Sequence, residues 1–172
     1  MRRMERQPGA CPTLTTPLPG ARKRDDPTNL EGAVSADIAS MLARRYGSRA
    51  AMVLAIIGAH RELAMRIVPG APAIGAEVIH AIRAEMATSV SDFLVRRTSM
   101  VWRDPAAAVA AAPEVARIMG VEFGWSAERI AAATARFFAR PGLREVAAIS
   151  VGEAIAKELR EDADGRTALK SK

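Results

Sequence analysis

An all-α fold is predicted by this sequence, as a single orthogonal bundle of about six or seven helices behind a disordered N-terminal lead-in. Alanine is abundant and only 4% of the 172 residues are aromatic, which favours helices because alanine loses no side-chain entropy in them. Apolar residues recur at steps of three and four along most of the chain, as on one face of a helix. No run typical of a strand or hairpin competes with this pattern, and 49% hydrophobic residues can fill one core.

Residues 1–29 are predicted to form a flexible lead-in rich in proline and arginine. Prolines at positions 8, 12, 17, 19 and 27 remove backbone donors and disfavour helix at the residues before them. The net charge is +6, and six basic against three acidic residues within positions 1–26 place half of that excess in the lead-in. No apolar run reaches about 18 uncharged residues, so no membrane-spanning helix is expected.

The helical domain is predicted over residues 30–160 and begins with two helices joined by a tight turn. The first starts behind Ser35 or Glu31 and ends at Gly47, which can adopt a left-handed conformation. Ser48 is predicted to cap the second, which runs from Arg49 to about Ala59. The inward stripe of this second helix is predicted to comprise Met52, Val53, Ile56 and Ile57.

A central helix with a buried face is predicted over Ala73–Ala87, after a short helical piece within Arg61–Val68 and a loop at Pro69–Pro72. Thr88 or Ser89 is expected to cap the segment that follows. The residues expected to face inwards in these two segments are Ile74, Val78, Ile79, Ile82, Met86, Val90, Phe93 and Leu94.

The next helix has a start signal at Asp104 and Pro105, because the acid can cap it and proline suits its first turn. Pro113 is expected to interrupt or kink this helix. Gly120 and Gly124 are expected to loosen the chain before the following element.

The end of the domain contains two more predicted helices. Ser126 caps the first of them, and Pro141–Gly142 ends it. The second is an amphipathic helix over Leu143–Leu159. Residues 161–172 form a polar tail.

Charged residues beside the apolar stripe are interpreted as a structural ion-pair network. Glu77 and Glu85 share one side of the central helix, where they can pair with Arg96 and Arg97 across a bend. Asp92 supplies a further acid to this network. The network therefore contains no predicted catalytic, cofactor-binding or metal-binding residue.

A functional alternative is that Glu77, His80 and Glu85 form a metal or acid–base site. Two carboxylates and one histidine without a second histidine nearby are a weak signal for such a site. The ion-pair network is the favoured interpretation.

Five other residues are given structural roles. His60 is interpreted as a cation at a helix end rather than a metal ligand. Tyr46 and Trp125 are predicted to be packing anchors at helix turns. Arg44 and Arg45 can meet an anionic partner, although a solvated helix end is the favoured interpretation.

The run AEVIHAIRAEMATSVSDFLVRRT at Ala76–Thr98 resembles the most recognisable segment in the C-terminal domain of FAD-dependent glycerol-3-phosphate dehydrogenases and alpha-glycerophosphate oxidases. Other segments match in the same order: TPLPGA at Thr16–Ala21, LARRYG at Leu42–Gly47, VPGA at Val68–Ala71, and Ala112–Trp125. The resemblance covers roughly Thr16 to Phe138. Agreement of several ordered segments is more specific than any one short motif.

This resemblance implies a helical domain that, in the family, accompanies a larger FAD-binding domain which oxidises glycerol 3-phosphate. A flavin domain needs a strand, a glycine-rich turn and a helix N-terminus. Gly70 and Gly75 follow a helical segment and lack that spacing, so no cofactor is expected on this chain, although FAD belongs to the full-length family. The expected role is that of a stand-alone or truncated accessory domain, inactive alone, which packs on a separately supplied flavin domain or on a second copy.

Two other interpretations stay open. The basic ends of the chain allow an independent helical module that binds nucleic acid or an anionic membrane surface, with nucleic acid the less favoured ligand. The other interpretation is a decayed gene product whose fold persists only partly. The expected location is cytoplasmic, with peripheral contact to the inner face of the membrane left open.

Overall fold

The structure, a computed structural model, describes residues 11–16, 18 and 34–143 of the chain. Six α-helices lie within these residues: α1 Ala36–Tyr46, α2 Ala50–Ala59, α3 Gly75–Glu85, α4 Met100–Arg103, α5 Pro105–Phe123 and α6 Ala127–Phe138. Asp92–Arg97 forms one π-helical segment, and short 3₁₀ turns occur at Pro12–Leu14, Gly47–Arg49 and Arg61–Ala64. The described part contains no strand beyond an isolated bridge between Arg66 and Ile74. The predicted all-α fold is confirmed.

The corner between α1 and α2 forms largely as predicted, with two differences. Gly47 ends α1 at a φ of 55°, which glycine adopts without steric penalty. Ser48 does not cap α2, because it lies inside a 3₁₀ turn that leads directly into the helix and leaves Arg49 at the N-cap. Met52 is half exposed whereas Val53 and Ile57 are buried, so Met52 does not belong to the inward face of α2 as predicted.

The core consists of two clusters that meet at α3. The first core cluster joins α1, α2 and the start of α3, and includes Leu42, Val53, Ile57 and Ile74. The second joins α3 to the π-helical segment, α4, α5 and the end of α6. Residues Gly75 to Ala81 are all buried, as expected of a helix surrounded by others. The prediction of a central helix is therefore confirmed.

The end of α3 differs from the prediction. The helix stops at Glu85, and Met86 adopts a left-handed φ of 58°. The side chain of Met86 is 86% exposed, so its assignment to the inward stripe was wrong. The turn moves Met86 out of the helical period, while Ala87 and Val90 return to the core.

Helices α5 and α6 make a close crossing. Asp104 caps α5 by accepting from the N–H of Ala107 at 2.9 Å, as predicted. The expected break at Pro113 does not occur, since α5 continues through it with the proline exposed and residues on either side packed in the core. Gly120 does not loosen the chain either. It is buried within α5, where an added Cβ would lie 2.5 Å from Cδ1 of Ile130.

The end of α5 and the start of α6 agree with the sequence. Gly124 terminates α5 at a φ of 65°, and Ser126 accepts from the N–H of Arg129 at 3.3 Å. The predicted lead-in, the helix beyond Leu143 and the polar tail lie almost wholly outside the described residues. Among the residues described, no helix combines the length and the apolar character needed to cross a membrane.

Candidate functional site

A buried carboxylate at the start of α3 ties three parts of the chain together. Glu77 is fully buried and forms an ion pair with Arg45. Its Oε1 also accepts from the hydroxyl of Tyr46 at 2.9 Å, and its Oε2 from the N–H of Ile74 at 2.9 Å. A buried charge needs such partners, because water is absent. Glu77 therefore locks the end of α1 against α3.

This arrangement corrects two sequence-based assignments. The partner of Glu77 is Arg45 rather than Arg96 or Arg97, because the last turn of α1 packs against the first turn of α3. Arg45 is consequently an internal ion-pair partner and not a solvated helix end. Arg44, its neighbour, is exposed.

His80 lies one turn after Glu77 and is almost completely buried. Its ring meets Tyr46 edge to face, with centroids 5.1 Å apart. Its Nε2 has no hydrogen-bond partner among the described residues; Oε1 of Glu85 is 4.0 Å away. Burial lowers the pKa of His80, and Arg49 adds to this lowering while Glu85 and Glu77 oppose it. The imidazole is therefore neutral at pH 7.

Glu85, Asp92, Arg96 and Arg97 form two ion pairs. Oε2 of Glu85 is 3.3 Å from Nε of Arg97, and Arg97 also donates to the Glu85 carbonyl. Asp92 pairs with Arg96 one turn along the π-helical segment. These contacts hold the end of α3 against that segment.

Asp92 also organises the turn before it. The carboxylate accepts from the N–H of Thr88 at 3.1 Å and from the hydroxyl of Ser89 at 2.8 Å. Burial acts to raise the pKa of Asp92, but the hydrogen bonds from Ser89 and Thr88 and the pairing with Arg96 together lower it.

The three residues of the alternative metal or acid–base site do not converge. Glu77 is engaged by Arg45 and Tyr46, and Glu85 by Arg97. In residues 34–143, no three side chains of the metal-binding types come close enough to hold an ion. His60, also considered as a ligand, ends α2 with its Nδ1 3.5 Å from Glu62 at the surface.

An open groove of about 560 Å³ lies between the π-helical segment and α6. We call it the arginine groove, and its polar and aromatic lining comprises Thr88, Ser89, Ser91, Arg96, Trp125, Arg129, Arg136 and Arg140. The sequence contains no direct signal for this groove, although the spacing of Arg129 and Arg136 places them on one face of α6, with Arg140 two residues beyond the end of that helix.

Apolar side chains are exposed where α3 and α5 end. Arg83 donates two hydrogen bonds to Glu122, at 2.6 and 2.8 Å, which joins the two helix ends. Met86, Val121 and Phe123 lie within three residues of this ion pair and are all exposed. We call these three residues the end patch.

The family model for the C-terminal domain of alpha-glycerophosphate oxidase matches residues 11–130. The chain belongs to this family. The match contains the whole Glu77 cluster and the end patch, so both belong to the glycerophosphate oxidase C-terminal domain. It stops at Ile130, inside α6, and leaves Arg136 and Arg140 of the arginine groove outside.

Curated relatives of this domain are similar over most of its length. A glycerol-3-phosphate dehydrogenase of Synechocystis is 33% identical over 135 residues, which are 74% of this chain and 24% of the relative. A probable mitochondrial glycerol-3-phosphate dehydrogenase of Dictyostelium discoideum is 32% identical over 71% of this chain and 20% of its own length. A mitochondrial glycerol-3-phosphate dehydrogenase of Arabidopsis thaliana is 31% identical over 72% of this chain and 19% of its own length.

The chain thus spans between 19% and 24% of the length of these relatives. No solved structure matches it significantly.

Proposed function

We propose that this chain is an accessory domain of a FAD-dependent glycerol-3-phosphate dehydrogenase, and that it acts by packing rather than by chemistry. The observation that carries the proposal is the family match over residues 11–130 to a C-terminal domain. The oxidation and the flavin belong, on this proposal, to a separate region of the enzyme. That region can lie in the same polypeptide or in another.

The buried cluster supports a packing role. The carboxylate of Glu77 already holds a guanidinium, a phenol and a backbone N–H. A general base needs a free lone pair aimed at a substrate proton, and a buried acid saturated by internal donors does not offer one. The cluster thus orients helices.

The end patch is the surface proposed to contact the flavin region. Met86 and Val121 are 86% and 73% exposed, and neighbouring exposed apolar side chains mark interaction surfaces. Flexible methionine and flat aromatic side chains suit such a contact. A cytoplasmic location, with peripheral contact to the inner face of the membrane left open, stays a prediction.

The first test uses the purified full chain alone. We expect neither flavin absorbance nor oxidation of glycerol 3-phosphate, measured with an artificial electron acceptor. Turnover by the isolated chain would overturn the proposal.

The second test is a chimera in which this chain replaces the matching segment of the Synechocystis dehydrogenase. The chimera should recover activity that the enzyme lacks when the segment is deleted. Met86→Ser combined with Val121→Ser should remove much of that recovery, because the contact loses apolar area.

The matched control is Met52→Ser combined with Met65→Ser, which changes two other exposed apolar residues. It should retain the recovered activity. A chimera no more active than the deletion form would contradict an accessory role in this family.

A further inference from the structure

Three cations of the arginine groove have no acidic partner in the described part of the chain. Arg96 is paired with Asp92, but no ion pair within residues 34–143 involves Arg129, Arg136 or Arg140. Each guanidinium presents five donors and stays charged at all physiological pH values. The groove therefore presents unneutralised positive charge.

The spacing of these cations indicates the shape of the ligand. Arg136 follows Arg129 by seven residues within α6, which separates their Cα atoms by about 10 Å along the helix. Arg140 lies two residues beyond the last residue of α6, Phe138. A single small anion fits one of these positions better than all three. An extended segment with several acidic groups can meet every one.

The contacts of Trp125, which lines the groove, argue against a nucleic-acid base stacked on its ring as the ligand. The ring of Phe123 stacks on the ring of Trp125, with the two centroids 5.3 Å apart. The guanidinium of Arg129 lies 5.0 Å from the same ring, a cation–π distance. Because these neighbours occupy the indole, carboxylates are the better match to the groove.

An acidic segment follows in the same chain. Glu158, Glu161, Asp162 and Asp164 lie within seven consecutive residues that also contain Arg160, so this stretch carries a net charge of −3. Leu143, five residues after the end of α6, is buried, and its N–H donates to the carbonyl of Arg140 at 3.2 Å. Leu143 therefore lies close to one of the arginines that line the groove.

The residues between Leu143 and Glu158 are long enough for the acidic segment to reach the arginine groove. Glu158 follows Leu143 by 15 residues, which reach about 22 Å as a helix or about 50 Å when extended. The distance from Arg129 to Arg136 along α6 is only about 10 Å, and Arg140 lies two residues beyond that helix. A tethered segment also acts at a high effective concentration.

We infer that the arginine groove is a binding site for an acidic polypeptide segment, and that residues 158–164 of this chain occupy it. Arg136 and Arg140 lie beyond the residues that the family model matches. When residues 158–164 bind in the arginine groove, they neutralise its positive charge and block the binding of other anionic ligands. The inference stands independently of the proposed accessory function.

The experiment measures the accessibility of Trp125 in the full chain. Trp102→Phe removes the other tryptophan, so that quenching by neutral acrylamide reports on the groove alone. We expect quenching to increase with salt, because ionic screening weakens the docking. Neutralising the segment with Glu158→Gln, Glu161→Gln, Asp162→Asn and Asp164→Asn should weaken docking roughly tenfold, as several modest exposed ion pairs are lost together.

Charge reversal separates docking from general effects of charge. Arg136→Glu with Arg140→Glu should expose Trp125. Adding Glu158→Lys, Glu161→Lys, Asp162→Lys and Asp164→Lys to that chain should restore its protection. The matched control, Arg44→Glu with Arg61→Glu, changes two exposed arginines outside the groove and should leave the quenching unchanged. Circular dichroism verifies that every variant is folded.

Two results would overturn the inference. One is Trp125 quenching that neither neutralisation of the segment nor charge reversal alters. The other is protection that increases with protein concentration, which would assign the contact to a second copy.

Discussion

The buried carboxylate of Glu77 connects the end of α1 to the start of α3. It faces Arg45 and Tyr46 from the end of α1 and the backbone of Ile74 before α3. Truncation to alanine would leave a guanidinium and a phenol without their acceptor. Removing one partner of a buried ion pair is far more damaging than never having the pair.

Glu77→Ala is accordingly expected to destabilise the domain by about 3–5 kcal/mol, measured by urea unfolding. Glu114→Ala is the matched control, since Glu114 pairs with Arg117 at the surface. That variant should change stability by less than about 1 kcal/mol. Equal losses in the two variants would mean that the buried cluster contributes no more than a surface pair.

His80 makes stability depend on pH. Its pKa is lowered in the folded state, so the unfolded chain takes up the proton first as pH falls. Stability is therefore fully present above the unfolded pKa of about 6.5 and declines as pH falls below it. Acids with lowered pKa values, such as Asp92 and Glu122, also lose their stabilising contribution as pH falls, but only at more acidic pH than His80.

Urea unfolding at pH 7.5 and pH 5.5 should show this decline. His80→Gln should reduce the difference between the two pH values, because its side chain does not titrate. His60→Gln, at the exposed and only other histidine, should retain it. A pH dependence that persists in full in His80→Gln would assign the effect to other groups.

At the scale of elements, the crossing of α5 and α6 depends on a missing side chain. The Ile130 side chain occupies the space that a Cβ on Gly120 would need. Overpacked cores typically lose about 1–3 kcal/mol, which exceeds the gain of up to about 1 kcal/mol in helix propensity from alanine.

Gly120→Ala is therefore expected to lower the unfolding free energy, and Ile130→Ala to lower it by loss of packing. The double variant should lose less than the sum of the two, because the smaller residue 130 accommodates the new methyl group. A double-mutant cycle by chemical denaturation measures this. Simple additivity would show that the two residues do not share the contact.

Local signals predicted the helix boundaries that local chemistry controls. Gly47, Asp104 and Ser126 act as the sequence indicates, because a turn or a cap involves only a few adjacent residues. Ser48, Pro113 and Gly120 were misjudged, since each outcome depends on the path or packing of neighbouring elements. Met86 belongs with them, as one left-handed residue changes the helical period.

For the whole molecule, α3 couples the two core clusters. Ile74 and Ala76 belong to the first cluster, whereas Val78, Ile79 and Ala81 belong to the second. Residues on one rigid helix cannot leave one cluster without disturbing the other. Cooperative unfolding is the expected consequence.

Ile57→Ala tests this coupling from within the first cluster. In a Trp102→Phe background it should destabilise the domain by about 2–5 kcal/mol. The transition should shift equally in far-UV circular dichroism and in Trp125 fluorescence, which reports on the second cluster. Separate midpoints, or a broad melt of the unchanged chain, would favour the partly folded interpretation.

The fold class and the family could be predicted from the sequence because periodicity and ordered motifs extend over most of the chain. The sites could be predicted only in part. Glu85 and Arg97 lie close along the chain, but Glu77 and Arg45 are 32 residues apart. The arginine groove brings residues 88–96 to residues 125–140, and no single-sequence pattern specifies which helices pack together.

The exposure of Met86 has a chemical consequence. Peroxide converts an accessible thioether to a sulfoxide, which is polar and chiral. Oxidation of the free chain should begin at exposed methionines such as Met86 and spare buried Met119, as peptide mass analysis can measure. Because Met86 contributes little to the core, its sulfoxide should leave the melting temperature nearly unchanged while making the end patch polar. Oxidative damage would then affect assembly before it affected folding.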